Sequence, residues 1–372
     1  MSANEAQRVT IFLCGDVMTG RGIDQILPHP SDPRIYEEVV SDARTYIHLA
    51  EEVNGPVPRP VDPSYIWGDA ITELQQAAPG ARIINLETSV TGSDEPWPKG
   101  INYRMSPANV GCLAAAGIDV CVLANNHVLD YVHAGLVETL EVLHRAGLKT
   151  AGAGQTLAEA RHPAVVDLAL DSRVVVHGFG TETSGIPPSW AAAEDRPGVN
   201  FLVDLSDESA AEIAASVRHV KRGRDITVAS VHWGGNWGYG VPLAHVRFAH
   251  RLIDNGIDIV HGHSSHHPRP IEVYRGRVIF YGCGDFLNDY EGISGFEQYR
   301  PDFVLMYFAT LDPASGELIQ LRMTPMQIRR MRLNRAGPRD ARWLADRLGE
   351  ISMYFGAWAE LAEDGNFFLR WE

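Results

Sequence analysis

The stretch DIVHGHSSHHPRP places His261, His263, His266 and His267 within seven residues, between an apolar run and a pair of prolines. Imidazole can ligate a metal, carry a proton or relay a hydrogen bond. Which of these it does depends on what else converges on it. Candidates stand at the ends of other apolar runs. Asp16 closes RVTIFLCGD, and Asn85 and Glu87 close ARIINLE. Asn125, Asn126 and His127 close IDVCVLANNH, with Asp130 one turn later, and His232 ends the apolar part of DITVASVHWGG. Together these side chains form a mixed nitrogen and oxygen donor set. Such a set suits Zn, Mn, Fe or Co, whereas calcium takes oxygen ligands alone. No cysteine stands at these ligand positions, which argues against a structural thiolate zinc site. Taken singly, each residue has an ordinary use: Asp16 as a helix N-cap, His232 as a buried hydrogen-bonded histidine, His267 as a turn cap before Pro268. Taken together they predict a metal centre.

The elements that must position these groups are short and apolar. RVTIFLCGD, ARIINLE, IDVCVLANNH, RVVVHGFG, DITVASVHWGG, GIDIVHGH and VIFYGCGDF have the length and β-branched content of buried strands. Helical periodicity separates several of them, in HAGLVETLEVLHRAG, SAAEIAASVRHVKRG and PLAHVRFAHRLIDNG. Strands alternating with helices predict an α/β layered fold, in which functional groups gather beyond the carboxyl ends of strands. Residues 28–66, 91–106 and 181–200 read as loops or inserts. Residues 8–310 read as the catalytic domain, and residues 311–372, rich in Arg, as a helical C-terminal appendage packed on it.

Composition narrows the partners. The chain has 372 residues, 45% hydrophobic and 21% charged, with a net charge of −15, which disfavours nucleic acid and anionic membranes. Cys14, Cys112, Cys121 and Cys283 show no CxxC spacing and read as buried thiols of a reducing compartment. The start, MSANEAQRVTIFLCG, has no basic signal region, and no run approaches the ~18 apolar residues of a membrane span. The expectation is a cytoplasmic protein without a membrane anchor. GAG at 152–154 and GFG at 178–180 lack a dinucleotide-binding context and read as turns; no PLP lysine, nucleotide or flavin motif is evident. Oligomeric state is not encoded legibly.

The stretches GDVMTGRG, INLETSV, LANNHVLDY, SVHWG and GHSSHHPRPIEVYRGRVIFYGCGDF, in this order, resemble the CapA family of capsule and poly-γ-glutamate synthesis proteins, a branch of the calcineurin-like metallophosphoesterase fold. The resemblance implies an α/β sandwich of two mixed sheets flanked by helices, with one or two divalent ions (Mn, Zn, Co, Fe or Mg) at one end. Carried over residue by residue, it implies metal ligation by Asp16, Glu87, Asn126, His232, His263 and His266. It also implies an acid–base role for His127, oriented by Asp130. His261 has no usual counterpart. The chain departs from the phosphoesterase pattern at Met18, where D-x-H is usual, at Glu87 in place of Asp, and in the lengthened GHSSH.

Three activities follow as expectations, with peptide epimerisation the leading one. Some members of this branch epimerise peptides, including the C-terminal Trp of a lasso-peptide precursor. Such chemistry would take α-proton transfer from the pool His127, His261, His266, Cys283 and Asp285, with metal stabilisation of the enolate. A peptide substrate, such as a precursor peptide, would meet Trp233, Trp237 and Tyr239 of HWGGNWGYG, and Arg21. The second activity is a hydrolase of phosphoesters or of γ-glutamyl or peptide amides. The third is a binding module without catalysis.

Overall fold

The structure, a computed structural model, describes residues 8–169 and 171–372. The reading of MSANEAQ at the start therefore lies outside the described residues. Fifteen principal strands and seven principal helices are labelled here in chain order. Strands β1 (Val9–Val17), β2 (Ala81–Leu86), β3 (Val120–Val122) and β4 (Lys149–Ala151) lie side by side in parallel. They begin the first sheet.

The chain then builds a second sheet from β5 (Ala164–Asp167), β6 (Arg173–Thr181), β7 (Ile226–His232), β8 (Ile259–His263), β9 (Ile271–Tyr274) and β10 (Arg277–Phe280). Strands β6, β7, β8 and β10 are parallel neighbours. Strand β5 pairs antiparallel with β6, and β9 with β10. Finally the chain returns to the first sheet through β11 (Asp285–Leu287), β12 (Phe303–Leu311), β13 (Leu318–Ile328), β14 (Ala357–Leu361) and β15 (Phe367–Trp371).

Side-chain alternation explains why the sheets stack. In β1, Ile11 and Leu13 face the second sheet, where they meet Val174, Val176, Val228, Ile259 and Phe280. Phe12 and Cys14 point the other way, into a core that holds Leu136 and Leu140. Strands covered on both faces read as continuous apolar runs. The outer covers are α1 (Arg21–Ile26), α2 (Arg44–Asn54), α3 (Ala70–Ala77) and α4 (Val132–Arg145) on the first sheet, and α5 (Asp207–Val220) and α6 (Leu243–Asp254) on the second. The expected sandwich of two mixed sheets flanked by helices is what the chain forms. All four cysteines are buried and unbridged. Among the described residues, no helix is long and apolar enough to cross a membrane.

Two expectations about elements need correction. Residues 311–372 are not a helical appendage. Strand β12 lies directly against β1 in antiparallel register from Val9↔Leu311 to Leu13↔Tyr307, and β13 and the β14–β15 hairpin extend the same sheet. Only α7 (Pro338–Ser352) is an α-helix there. The arginines are what misled: Arg322 sits on β13 with its guanidinium over the Phe308 ring and against Glu73, so a charged residue serves a strand. Likewise the supposed loop 28–66 contains α2. Its buried Tyr46, Ile47 and Ala50 recur at helical spacing, amid a segment whose prolines suggested a loop.

Candidate metal centre

Both sheets point their carboxyl strand ends to the same place. Strand β1 delivers Asp16, where its register with β2 shifts between Leu13 and Asp16. Its neighbour Gly15 is obligatory, because a Cβ there would lie 1.6 Å from the Gly284 carbonyl oxygen. Asp16 is fully buried. Its Oδ1 accepts from Asn85 Nδ2 at 2.7 Å, and its Oδ2 from the Ser264 amide at 3.1 Å. Asn85 is held in turn by Asn125 Nδ2 at 3.0 Å.

From the second sheet come His232 and His263, aligned in register on β7 and β8. Asp16, His232 and His263 each offer a ligand atom within 4.8 Å of the other two. Hydrogen-bond direction fixes their tautomers. The Cys14 carbonyl can only accept, so His261 donates Nε2–H to it at 2.7 Å. His261 Nδ1 then accepts from Ser230 Oγ at 3.0 Å, and Ser230 Oγ accepts His263 Nε2–H at 2.9 Å. The lone pair of His263 is thereby left on Nδ1. On the other side, His232 donates Nε2–H to Asn126 Oδ1 at 2.9 Å, which leaves its lone pair on Nδ1 as well.

The two Nδ1 atoms stand 2.8 Å apart with no proton assigned between them. Burial and the neighbouring Asp285 raise the Asp16 carboxyl to about 7, and burial and Asp16 push Glu87 well up. Burial also pushes both imidazoles well down, so neither supplies positive charge. Two converging lone pairs beside a buried carboxylate are the donor set of a divalent cation, and the residues present fit one.

Glu87 lies between this cluster and a second group. Its Oε1 is 3.9 Å from His232 Nε2 and 3.8 Å from His127 Nε2. His127 donates Nδ1–H to Asp130 Oδ2 at 2.6 Å, so Nε2 carries the lone pair. Lys99 Nζ pairs with Asp130 Oδ1 at 2.5 Å, and the Tyr103 amide donates to Asp130 Oδ2 at 2.6 Å. Burial lowers the His127 imidazole to about 4, against the opposing pull of Asp130. A cavity of about 360 Å³ is walled by Glu87, Lys99, Asn126, His127, Ser264 and His266; Asn126 and Ser264 connect it to His232 and Asp16.

The remaining predicted residues separate. Ser264 takes φ +97°, a strained value for a non-glycine residue. Beyond it the chain leaves the strand path, and His266 sits at the cavity rim. There it donates Nδ1–H to Asp285 Oδ1 at 2.9 Å and accepts from Asn236 Nδ2 at 3.0 Å. Asp285 is buried behind it, also bound by Asn288 Nδ2 at 2.8 Å. Cys283 is not at the site: its side chain belongs to the apolar core between the sheets, and burial raises its thiol. His261 is likewise sealed in the hydrogen-bond chain just described. Neither is placed to move a proton on a substrate.

Of the aromatic candidates, Trp233 is buried against α6. Its indole donates to the Tyr281 carbonyl at 3.1 Å and stacks on His245, so it is core rather than a substrate contact. Tyr239 packs on His267 and Tyr299 away from the cavity. Trp237 does line an adjoining cavity, stacked on Phe296 at 3.9 Å. Arg21 lines it too, but its guanidinium is already held by Asp289 and Glu37.

Sequence reasoning missed Lys99, Ser230, Asn236 and Tyr290. Ser230 had a signal, since on a strand it shares a face with His232 two residues on. Lys99 had none, coming from a loop without periodicity. Met18, which stands where a metal-binding histidine is usual, accepts a hydrogen bond on its sulfur from Tyr290 Oη at 3.3 Å.

Comparison with known proteins finds relatives of this chain. The sequence profile described as "Bacterial capsule synthesis protein PGA_cap" matches residues 10–290. A "Probable polyglutamine synthesis accessory protein" of Mycobacterium tuberculosis is 50% identical over 350 residues, covering 94% of this chain and 92% of that one. The "PGA biosynthesis protein CapA" of Bacillus subtilis is 26% identical over 298 residues, 79% of this chain and 66% of that one. The "Capsule biosynthesis protein CapA" of Bacillus anthracis is 23% identical over 286 residues, 77% and 61%. Among solved structures, a novel phosphatase from Mycoplasma pneumoniae superposes on 86% of this chain and 94% of its own, with 9% identity and a TM-score of 0.47.

Proposed function

This chain belongs to the bacterial capsule synthesis protein PGA_cap family, and from that premise we propose that it is a metal-dependent hydrolase of a phosphoester or amide bond. The names of its relatives speak of capsule and polyglutamine synthesis and none speaks of epimerisation, which favours the hydrolase among the sequence expectations. One observation carries the reading. The Asp16–His232–His263 cluster and the His127–Asp130 pair meet across Glu87, and a cavity lined by Glu87, His127 and the cluster's hydrogen-bond partners Asn126 and Ser264 adjoins them.

A divalent ion held by Asp16, His232 and His263 would polarise the oxygen of the bond to be cleaved. The other roles belong to the chain. Asn85 and the Ser264 amide fix the Asp16 carboxylate. Asn126 and the Ser230 relay fix the two imidazoles. His127, neutral at pH 7, accepts a proton on Nε2 from the attacking water, and Asp130 stabilises the imidazolium that results. Lys99 pairs with Asp130 and holds it in place.

The test is mass spectrometry in D₂O with the protein loaded with Mn²⁺, Co²⁺ or Zn²⁺, using a panel of phosphoesters, γ-glutamyl amides and peptides. Products heavier by one water in sum, lost with EDTA and with His127→Ala, are expected. Deuterium gained at Cα without cleavage would replace this reading with epimerisation. Because Met18 stands in the usual histidine position, p-nitrophenyl phosphate is expected to be a poor substrate, far below the ~10 s⁻¹ of an ordinary enzyme.

A further inference from the structure

The second cavity beside the metal centre holds about 570 Å³. It is the outward continuation of the first: Ile101, Tyr103, Asn236, His266 and Tyr290 line both. Three separate segments bring large apolar side chains to its rim. Val53 comes from α2, Ile101 from the 91–106 segment, and Ile293 and Phe296 from the stretch after β11. Their exposures are 63%, 44%, 47% and 39%, although soluble chains rarely leave such residues converging on solvent. Trp237 faces Phe296 nearly parallel, at 4°, and completes an aromatic wall.

The charged groups around the cavity are already used. Arg21 is bound by Asp289 and Glu37. Arg300 is bound by Asp340 and Asp302. Glu291 accepts from Asn54 and from the amides of Arg330 and Met331. Among the described residues, no cation lining this cavity is left without an acidic partner, and the chain as a whole carries −15. A polyglutamate chain would therefore find neither a counter-charge nor an attractive field here.

The geometry points to a binding site for an apolar group of aromatic size, carried by the substrate next to the bond that reaches the metal centre. This rests on the hydrolase reading for its orientation, but the site itself does not depend on turnover. Its substrate class is a hydrophobic ester or amide, not the anionic polymer or its polar amide form. Trp237 and Phe296 would stack on the group, Ile293 and Ile101 would cover it, and Tyr103 and Tyr290 would lead from it to His266 and the metal ligands.

The experiment uses the full chain and the neutral fluorophore N-phenyl-1-naphthylamine, titrated with and without EDTA. Saturable one-to-one binding, unchanged by EDTA, is expected. Trp237→Ala and Ile293→Asp should each weaken it roughly tenfold, the loss of one buried apolar contact. Ile293 is at the surface, so its replacement leaves the fold intact. Oligo-γ-glutamate and oligo-glutamine should not displace the probe. The inference falls if the wild-type protein shows no saturable binding, if both variants bind unchanged, or if oligo-γ-glutamate competes. In the metal-loaded protein, phenylphosphonate should displace the probe with roughly tenfold higher affinity than methylphosphonate, and equal affinities would also overturn the assignment. Failure of both phosphonates to bind would count against the hydrolase reading alone, since the probe titration decides the cavity by itself.

Discussion

The corner after β3 and the corner after β8 are both short runs dense in chemistry, yet they use their side chains in opposite ways. After β3, Asn125, Asn126, His127 and Asp130 form one connected group: Asn125 bonds the Leu86 carbonyl, Asn126 accepts from His232, and Asp130 holds His127 and pairs with Lys99. After β8, four histidines have four fates. His261 is a sealed relay, His263 a metal-facing donor, His266 a rim residue on Asp285, and His267 an aromatic filler stacked on Tyr299. Side-chain type is the same in all four. The strand's alternation, the left-handed turn at Ser264 and the direction of the hydrogen bonds separate them. Spacing in the sequence thus identifies the neighbourhood, and proton inventory identifies the role.

The comparison breaks most visibly at the metal-facing pair. Replacing His263 with Ala, or Asp16 with Ala, should abolish divalent metal binding, whereas His267→Phe should leave it untouched. Metal content after dialysis reads this directly. Full loading of His263→Ala would dissolve the distinction drawn within the histidine run.

Next in size is the first corner. His127→Ala should lower the hydrolytic rate by roughly 10²–10⁴-fold, the usual worth of a positioned general base, with metal content unchanged. A parallel loss of metal would move His127 from proton transfer to ligation.

The relay is a smaller lever. Ser230→Ala removes the acceptor that holds the Nε2 proton of His263, and should weaken metal affinity by roughly 10–100-fold, as outer partners of metal-bound imidazoles do. ¹⁵N chemical shifts of His263 should then report mixed tautomers in the metal-free protein. A single unchanged Nε2–H tautomer would show that the relay is dispensable.

The smallest effect concerns His177, a buried imidazole outside both corners, lowered to about 4 by desolvation and lacking a partner on Nε2. Its folded value lies below its unfolded one, so the unfolded chain takes up the proton first. Stability is therefore full above pH 6.5 and is lost as pH falls from there towards 4. His177→Gln should flatten that loss by roughly 1–3 kcal/mol, measured by urea unfolding across the interval.

Much of this was legible in the chain. The apolar runs pointed to a layered α/β fold and the family resemblance to its two sheets, and Asp16, Glu87, Asn126, His127, His232 and His263 lie near one another. What was not legible has physical causes. Arg322 and its neighbours hid β13 because guanidinium stems pack on aromatic rings as well as face water. Cys283 and His261 looked reactive because their types are reactive, but each side chain faces the interior. Lys99 comes from a loop with no pattern to read. Trp233 and Trp237, four residues apart in one glycine-rich segment, parted because the first is held inward by the Tyr281 carbonyl and the His245 ring while the second lines the cavity.

One consequence follows from where the ligand atoms originate. Asp16 belongs to the first sheet, His232 and His263 to the second, and the bonds from His261 to Cys14 and from Ser264 to Asp16 already cross the same seam. An ion at this point would be a removable rivet between two halves of one sandwich. Its contribution to cohesion grows with the logarithm of free metal, about 2.7 kcal/mol when the ion is at a hundred times its dissociation constant. The lifetime of the folded chain would then track the metal supply around it, so that a chain starved of its ion would also be the one most readily unfolded and cleared.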